Sequence, residues 1–261
     1  MQHILNIVPK TRVWLLALPV IVPIILVTLI LIAPQQASAI SRDTYGPACG
    51  RPVIDGEVQP LEWETAYTQT VQLHSGSVSE PFTATVRVMN AANNLYIGIT
   101  IDDDEFTTKG EFLDAGDGFR IDFDNDNGSA LFTLDDDVLS ANAGLPQFGD
   151  SYIKGTPAPS SSADDVDGGG SNDGAAAASR VGDLNHFEIK HPLCSGDEKD
   201  FCLLPGGLVG FRLEYLDAEG DGSFGGSFRY PGSSDTDQAD IIISVCNIPD
   251  LYIYLPLTIF D

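Results

Sequence analysis

The chain has 261 residues, with 13 Lys and Arg against 38 Asp and Glu, for a formal net charge of −25. So acidic a chain repels nucleic-acid phosphates and anionic lipid surfaces, which excludes both as partners. Neither an internal repeat nor a long amphipathic helix is present.

Lys10 and Arg12 precede an uncharged apolar run over 13–32, and Ala37-Ser38-Ala39 follows it. This is the pattern of a secretory signal peptide cut after residue 39. The run is about long enough to span a bilayer, so an uncleaved anchor is the alternative, against which Pro19 and Pro23 weigh. Either reading puts the rest outside the cytoplasm, secreted or at the cell surface, with membrane contact only through this segment if it stays uncleaved. Removal leaves 222 residues with 11 basic and 38 acidic side chains, a net of −27. That length suits one large domain or two small ones.

Residues 40–51 read as a lead-in. Ile54-Asp55-Gly56 is a turn, and Leu61 to Ala66 reads as one helical turn. Phe82 to Met89 alternates, with Ala84, Val86 and Val88 on one face and Thr85 and Arg87 on the other. Ala91-Ala92-Asn93-Asn94 is a hairpin signal, after which Leu95, Ile97, Ile99 and Ile101 form the inward face of a strand ending in Asp102-Asp103-Asp104. In Gly118 to Asp124, Phe119, Ile121 and Phe123 alternate with Arg120, Asp122 and Asp124, and an Asp/Asn/Gly turn follows. A short return strand is expected over Ala130 to Leu134, ending in Asp135 to Asp137. The stretch 155–183 is rich in Gly, Ser, Ala and Asp and reads as a mobile insertion. Strands resume at Asn185 to Lys190, Leu208 to Leu216 and Ala239 to Val245, and 247–261 is an apolar tail. Many short alternating strands with Gly/Asn/Asp turns define an all-β fold. The expected architecture is an antiparallel β-sandwich, immunoglobulin-like or jelly-roll-type, over 52–246, with a long low-complexity loop insertion.

Cys49, Cys194, Cys202 and Cys246 all fall in the exported part, and an even number there reads as two disulfides. Of three pairings, the favoured one joins Cys194 to Cys202 and Cys49 to Cys246. No C-x-x-C pair is present, which disfavours zinc.

Four segments carry a resemblance to the carbohydrate-binding module family 9-like domains of secreted bacterial proteins. They are Ile54-Asp55-Gly56 with Trp63 and Ala66; Val86 through Asn94-Leu95-Tyr96-Ile97-Gly98-Ile99 to Asp103; Asp117 to Asp126; and Phe187 to Leu193 followed by Gly207 to Arg212 and Asp217 to Asp221. The resemblance implies a β-sandwich that binds sugars, with calcium in some members and a terminal sugar held between two tryptophans. Here Trp14 leaves with the signal, and Trp63 stands where the family's structural tryptophan stands, so a two-tryptophan clamp is impossible. Tyr67, Tyr96, Phe106, Phe148, Tyr152 and Tyr230 are the aromatic substitutes, among which the sequence does not choose.

Arg87, Tyr96 and Arg120 are the candidate carbohydrate contacts, on the expectation that their strands lie side by side with these residues on one outward face. An arginine fork suits sugar hydroxyls; the plainer reading is ion pairing with Asp122 or Glu214. The acidic strand ends divide into two groups. Asp102, Asp103 and Asp104 are expected near Asp114, Asp117 and Asp135 to Asp137, with Asp124 and Asp126 at the opposite end. Two carboxylates 4 Å apart repel by ~4 kcal/mol at an effective dielectric of 20, so a hard cation is the natural neutraliser. Calcium is the expected cofactor, with Asp124, Asp126, Asp102, Asp103 and Asp117 as metal candidates; a solvated acidic rim is the alternative. Asp217 to Gly222 opens like an EF-hand loop, but position twelve is Phe228, which rejects that motif. Asn127-Gly128-Ser129 is a formal glycosylation sequon.

The expected function is non-catalytic binding of a polysaccharide or surface glycan. The alternatives are a structural surface module, a haem sandwich using Met89 with His186 or His191, and a glycosidase accessory. Among 38 acidic residues a glycosidase-like carboxylate pair arises by chance, so it carries no weight.

Overall fold

The computed structural model describes residues 42–246, apart from 77–79, 92, 110–115, 129–131, 156–160 and 235–236. The signal segment, Asp114, residues 130–131 of the expected return strand and the apolar tail lie outside the described residues.

Among the described residues, strands numbered in chain order build two sheets. The larger runs β1 (Thr44–Tyr45), β13 (Ala239–Ile242), β11 (Leu208–Ala218), β5 (Gly118–Asp124), β6 (Asp137–Asn142), β7 (Phe148–Ile153) and β8 (Ser162–Asp164). One edge of the long β11 is shared in succession. Leu208 to Phe211 pair with β13, and Leu213 to Ala218 pair with β12 (Phe224–Tyr230). The smaller sheet runs β2 (Tyr67–Leu73), β3 (Phe82–Asn90), β4 (Asn94–Asp102), β10 (Leu184–Pro192) and β9 (Ala175–Val181).

Period-two alternation decides what lies between the sheets. Ala84, Val86 and Val88, the isoleucines of β4, Phe187 and Ile189 face Phe119, Ile121, Phe123, Leu139, Phe211 and Leu213, all buried in one cluster. Each such side chain contributes ~1.5–3 kcal/mol when fully buried. Disulfides join Cys49 to Cys246, separated by 197 residues, and Cys194 to Cys202, separated by eight. Both pairs match the favoured connectivity.

Three elements differ from expectation. The strand expected over Ala130 to Leu134 instead follows the aspartates, as β6. Asp136 accepts the N–H groups of Thr133 at 2.5 Å and Asn125 at 3.1 Å, which makes a turn where a strand was expected. The 155–183 stretch, expected to be a mobile insertion, carries β8, a four-residue helix α1 (Asp165–Gly168) and β9. β9 pairs with β10 from Ala175 to Val181. A ladder needs backbone groups rather than bulk, so four alanines suffice against a sheet that supplies the large side chains. Finally, β4 and β5, expected as neighbours, belong to different sheets; β4 lies between β3 and β10.

Candidate functional site

The outer face of the smaller sheet is half covered and half open. Residues 48–66 lie over the covered half, where Val58, Trp63, Met89, Ala91 and Tyr96 form a second apolar cluster. Gly98 makes room for the Trp63 ring, since a Cβ there would lie 2.8 Å from it. Glu188, fully buried on β10, anchors this cap. One carboxylate oxygen accepts the Trp63 indole N–H at 2.9 Å, and the other accepts the backbone N–H groups of Asp55 at 3.0 Å and Gly56 at 2.8 Å. His186 Nδ1 accepts the Val58 N–H at 3.0 Å. The expected helical turn is a single loop closed by Trp63 N–H to the Gln59 carbonyl at 3.2 Å. Trp63 is therefore structural, as its position in the sequence implied.

The open half is flat and hydroxyl-rich. Register places Thr70, Thr85, Thr100 and His186 in one row across β2, β3, β4 and β10, with Thr68 and Arg87 in the next. Gln72 Nε2 donates to Thr83 Oγ1 at 2.9 Å, and Arg87 donates to Thr100 Oγ1 at 3.4 Å. Burial holds the half-buried Arg87 guanidinium below its usual range.

The three candidate sugar contacts do not converge. Arg87 borders this open face, but Tyr96 is 5 % exposed beneath the cap. Arg120 lies on the other sheet, where its Nε donates to Asp122 Oδ1 at 2.7 Å. Among the aromatic substitutes, Tyr230 is buried, Phe106 and Phe148 pack on the core, and Lys199 sits over the Tyr152 ring. Tyr67 is 39 % exposed and stands edge-on to Tyr45. The haem reading has no geometry behind it: His191 faces inward, away from Met89 in the cap, and His186, on the same outer face as Met89, stands level with Thr100 rather than with Tyr96, the partner of Met89, and accepts the Val58 N–H.

The row at Asp122, Asp124 and Asp126 was expected to point outward into solvent, and two of its members are fully buried. Asp122 bridges Arg120 and the buried Arg212, whose Nη2 lies 2.5 Å from Asp122 Oδ2. Arg212 in turn covers the Phe132 ring at 5.1 Å. Neither oxygen of Asp124 has a well-formed hydrogen bond among the described residues, and burial followed by the neighbouring Asp126 and Asp136 carboxylates outweighs the nearby Gln238 amide and pushes it up to about 7. Asp126 itself is exposed.

Asp103, Asp117 and Asp217 do cluster as a possible metal set, but protein donors already occupy two of them. Asp117 accepts the Thr107 N–H at 2.7 Å and the Ala218 N–H at 2.8 Å, and Asp103 accepts the Tyr215 hydroxyl. Arg180 fills the neighbouring space, donating to the carbonyls of Asp103, Asp104 and Glu105. Asp102 is exposed at the strand end. Asp135 to Asp137, expected with this group, sit at the opposite end because Val138 pairs with Asp122 in the antiparallel β5–β6 register.

A site absent from the expectation lies there instead. Asp137 of β6, Asp150 of β7, Asp165 of α1, His191 of β10 and Asp200 of the Cys194–Cys202 loop come together, each at most 6 % exposed. His191 Nε2 is 3.4 Å from Asp200 Oδ2 and 3.7 Å from Asp150 Oδ2. Burial opposes the imidazolium charge, but the Asp150 and Asp200 carboxylates overcome it and raise His191 to about 10. Burial, then the Asp200 carboxylate, lifts Asp165 to about 8, and burial raises Asp137 well above its ordinary value. A polar cavity of about 550 Å³ lined by Gly168 to Ser171, Asp173 and Ser195 to Lys199 opens beside this cluster.

Two packed sheets with one capped and one open, polar half of an outer face define a β-sandwich. Residues 54–145, spanning the cap and β2 to β6, match the model of the family described as carbohydrate family 9 binding domain-like. Two solved structures of a family 9 module from Caldicellulosiruptor kristjanssonii share the fold at 16 % identity. The complex with cellotriose has a TM-score of 0.55 over 80 % of this chain and 95 % of that one. The complex with glucose has 0.57 over 80 % and 100 %. A putative carbohydrate-binding protein from Bacteroides uniformis aligns at 7 % identity and TM-score 0.51, over 77 % and 98 %. No curated protein matches the sequence.

Proposed function

We propose that the chain is an exported, non-catalytic carbohydrate-binding module whose ligand is a polysaccharide or surface glycan. The observation that carries this reading is the family match at 54–145, over the segment that builds the open face. The solved complexes with cellotriose and glucose support the ligand class through the shared fold. Two disulfides support export, since such bonds persist in oxidising compartments.

We place the sugar contact on the open half of the smaller sheet. Thr68, Thr70, Gln72, Thr83, Thr85 and Thr100 present donors and acceptors there, and Arg87 adds a half-buried fork at its border. Tyr96 and Arg120 have no part in it, being held under the cap and on the other sheet. With no aromatic clamp, hydrogen bonding carries recognition, and affinity is modest. A glycan array tests the proposal. Binding that Arg87→Ala and Thr85→Ala weaken at least tenfold supports it, while binding to no glycan leaves a structural surface module. Calcium is the ion we propose for the acidic end of the sandwich. Asp124, buried beside the Asp126 and Asp136 carboxylates, is the group we assign to it, whereas Asp103 and Asp117 already accept protein donors.

A further inference from the structure

His186 holds the cap through an atom whose role reverses on protonation. Its Nδ1 accepts the Val58 N–H at 3.0 Å, so the neutral ring carries its one proton on Nε2. Protonation places a second N–H on Nδ1, aimed at the N–H that Nδ1 had accepted. Two donors cannot share that contact, and one of them must leave.

His186 stands at the seam between the two halves of the outer face, 8 % exposed. On the covered side, Val58 packs with Trp63, Met89 and Tyr96. On the open side, register aligns His186 with Thr100, Thr85 and Thr70. Its charged neighbours are unequal. Arg87 of β3 opposes a charge on the ring, and Glu57 of the cap favours it. Asp55 Oδ1 is turned to the Glu57 N–H at 3.0 Å, and Glu188, two residues along β10, is committed to Trp63, Asp55 and Gly56. Across β4 and β9 the paired residues are the uncharged Thr100 and Ser179. Burial first, then Arg87, outweighs Glu57 and holds the imidazole below its usual range. The folded state therefore favours the neutral ring. That contribution is complete above about pH 6.5 and is lost as pH falls through the lowered value.

We propose that His186 is an acid-sensitive latch between the cap and the open face. The neutral ring keeps Val58 seated; the imidazolium releases it and repels Arg87 from Thr100, to which Arg87 donates at 3.4 Å. Release is local, because Glu188 still accepts the Gly56 N–H and Ser179 Oγ still donates to the Gly56 carbonyl at 2.7 Å. Gly56, left-handed at φ 92°, is the pivot. The latch does not depend on what the open face binds. Its consequence, weaker glycan binding in acid, rests on the carbohydrate-binding reading, since Arg87 borders that site.

Proton–nitrogen correlation spectra of the disulfide-intact full chain, recorded from neutral to acid pH, test the latch. The Val58 amide and the His186 ring should titrate together with one midpoint below about 6.5. In His186→Asn the side-chain oxygen replaces Nδ1 as an acceptor that does not titrate, so the Val58 amide should stay fixed. A Val58 amide that titrates equally in this variant would assign the change to Glu188, whose carboxyl burial also raises, and would overturn the latch. A parent ring that titrates without moving Val58 would overturn it as well. Adsorption to insoluble polysaccharides at neutral and acid pH tests the consequence. Binding should weaken several-fold in acid in the parent and less in His186→Asn, and an equal loss in both would overturn the coupling to Arg87. Absence of adsorption at either pH, with the Val58 titration intact, would count against the carbohydrate-binding reading while supporting the latch.

Discussion

Glu188 is the point at which the cap is held to the smaller sheet, and replacing it measures that attachment. In Glu188→Ala the indole N–H of Trp63 and the N–H of Gly56 lose their acceptor while remaining buried; the exposed Asp55 rehydrates. A buried donor left unsatisfied costs ~1–3 kcal/mol, so two cost ~2–6 kcal/mol. With a urea m-value of ~2–3 kcal/mol/M for a domain of this size, the midpoint should fall by ~0.7–3 M. Glu188→Gln keeps one acceptor oxygen, which the two backbone N–H groups hold, so only the indole bond is lost and the fall should be about half as large. Far-UV circular dichroism and tryptophan emission, followed in the same urea series at unchanged m, read both variants. A midpoint within ~0.3 M of the parent for Glu188→Ala, or a Gln variant no better than Ala, would refute the anchoring role.

Two further outcomes follow from the buried charges. Asp122→Asn leaves the buried Arg212 with a weakened counter-charge, and chemical denaturation should show a loss of ~3–5 kcal/mol; a loss below ~1 kcal/mol would contradict that pairing. Burial first, then the Asp103 carboxylate, raises Asp217 to about 7, and burial raises Asp117 to about 6. The folded state thus binds these protons more tightly than the unfolded chain. Their contribution is fully present below about pH 4 and is lost as pH rises through 6 to 7. In calcium-free buffer the urea midpoint should fall between pH 5 and pH 8, and less steeply in Asp217→Asn; an equal slope in both would remove Asp217 from the account.

The strands that alternate apolar and polar residues were legible in the sequence. Val86 and Val88, the isoleucines of β4, and Phe119, Ile121 and Phe123 all mark inward faces that the structure confirms. β9 was not, because its alanines and serine carry no period and its place is fixed by pairing with β10. Sheet membership was also hidden: sequence order makes β4 and β5 neighbours, whereas the chain crosses between layers there. That crossing is why Arg87 and Arg120 never meet. The acidic cluster escaped because its members span residues 137 to 200 and gather only after folding. One signal was available, in that Asp137, Asp150 and His191 each sit in phase with apolar neighbours on their strands. A charged group in an inward position asks for a partner that packing cannot supply.

The central claim is that this sandwich binds carbohydrate through the open face of its smaller sheet. An adsorption isotherm on a panel of insoluble polysaccharides, cellulose included, measures it most directly, with the disulfide-intact protein in calcium-containing buffer and the free fraction read by absorbance. Saturable depletion on at least one polysaccharide, reversed by the matching soluble oligosaccharide and reduced at least tenfold in affinity by Arg87→Ala, is the predicted result. Protein left wholly in solution across the panel, or adsorption that Arg87→Ala leaves unchanged, would contradict it.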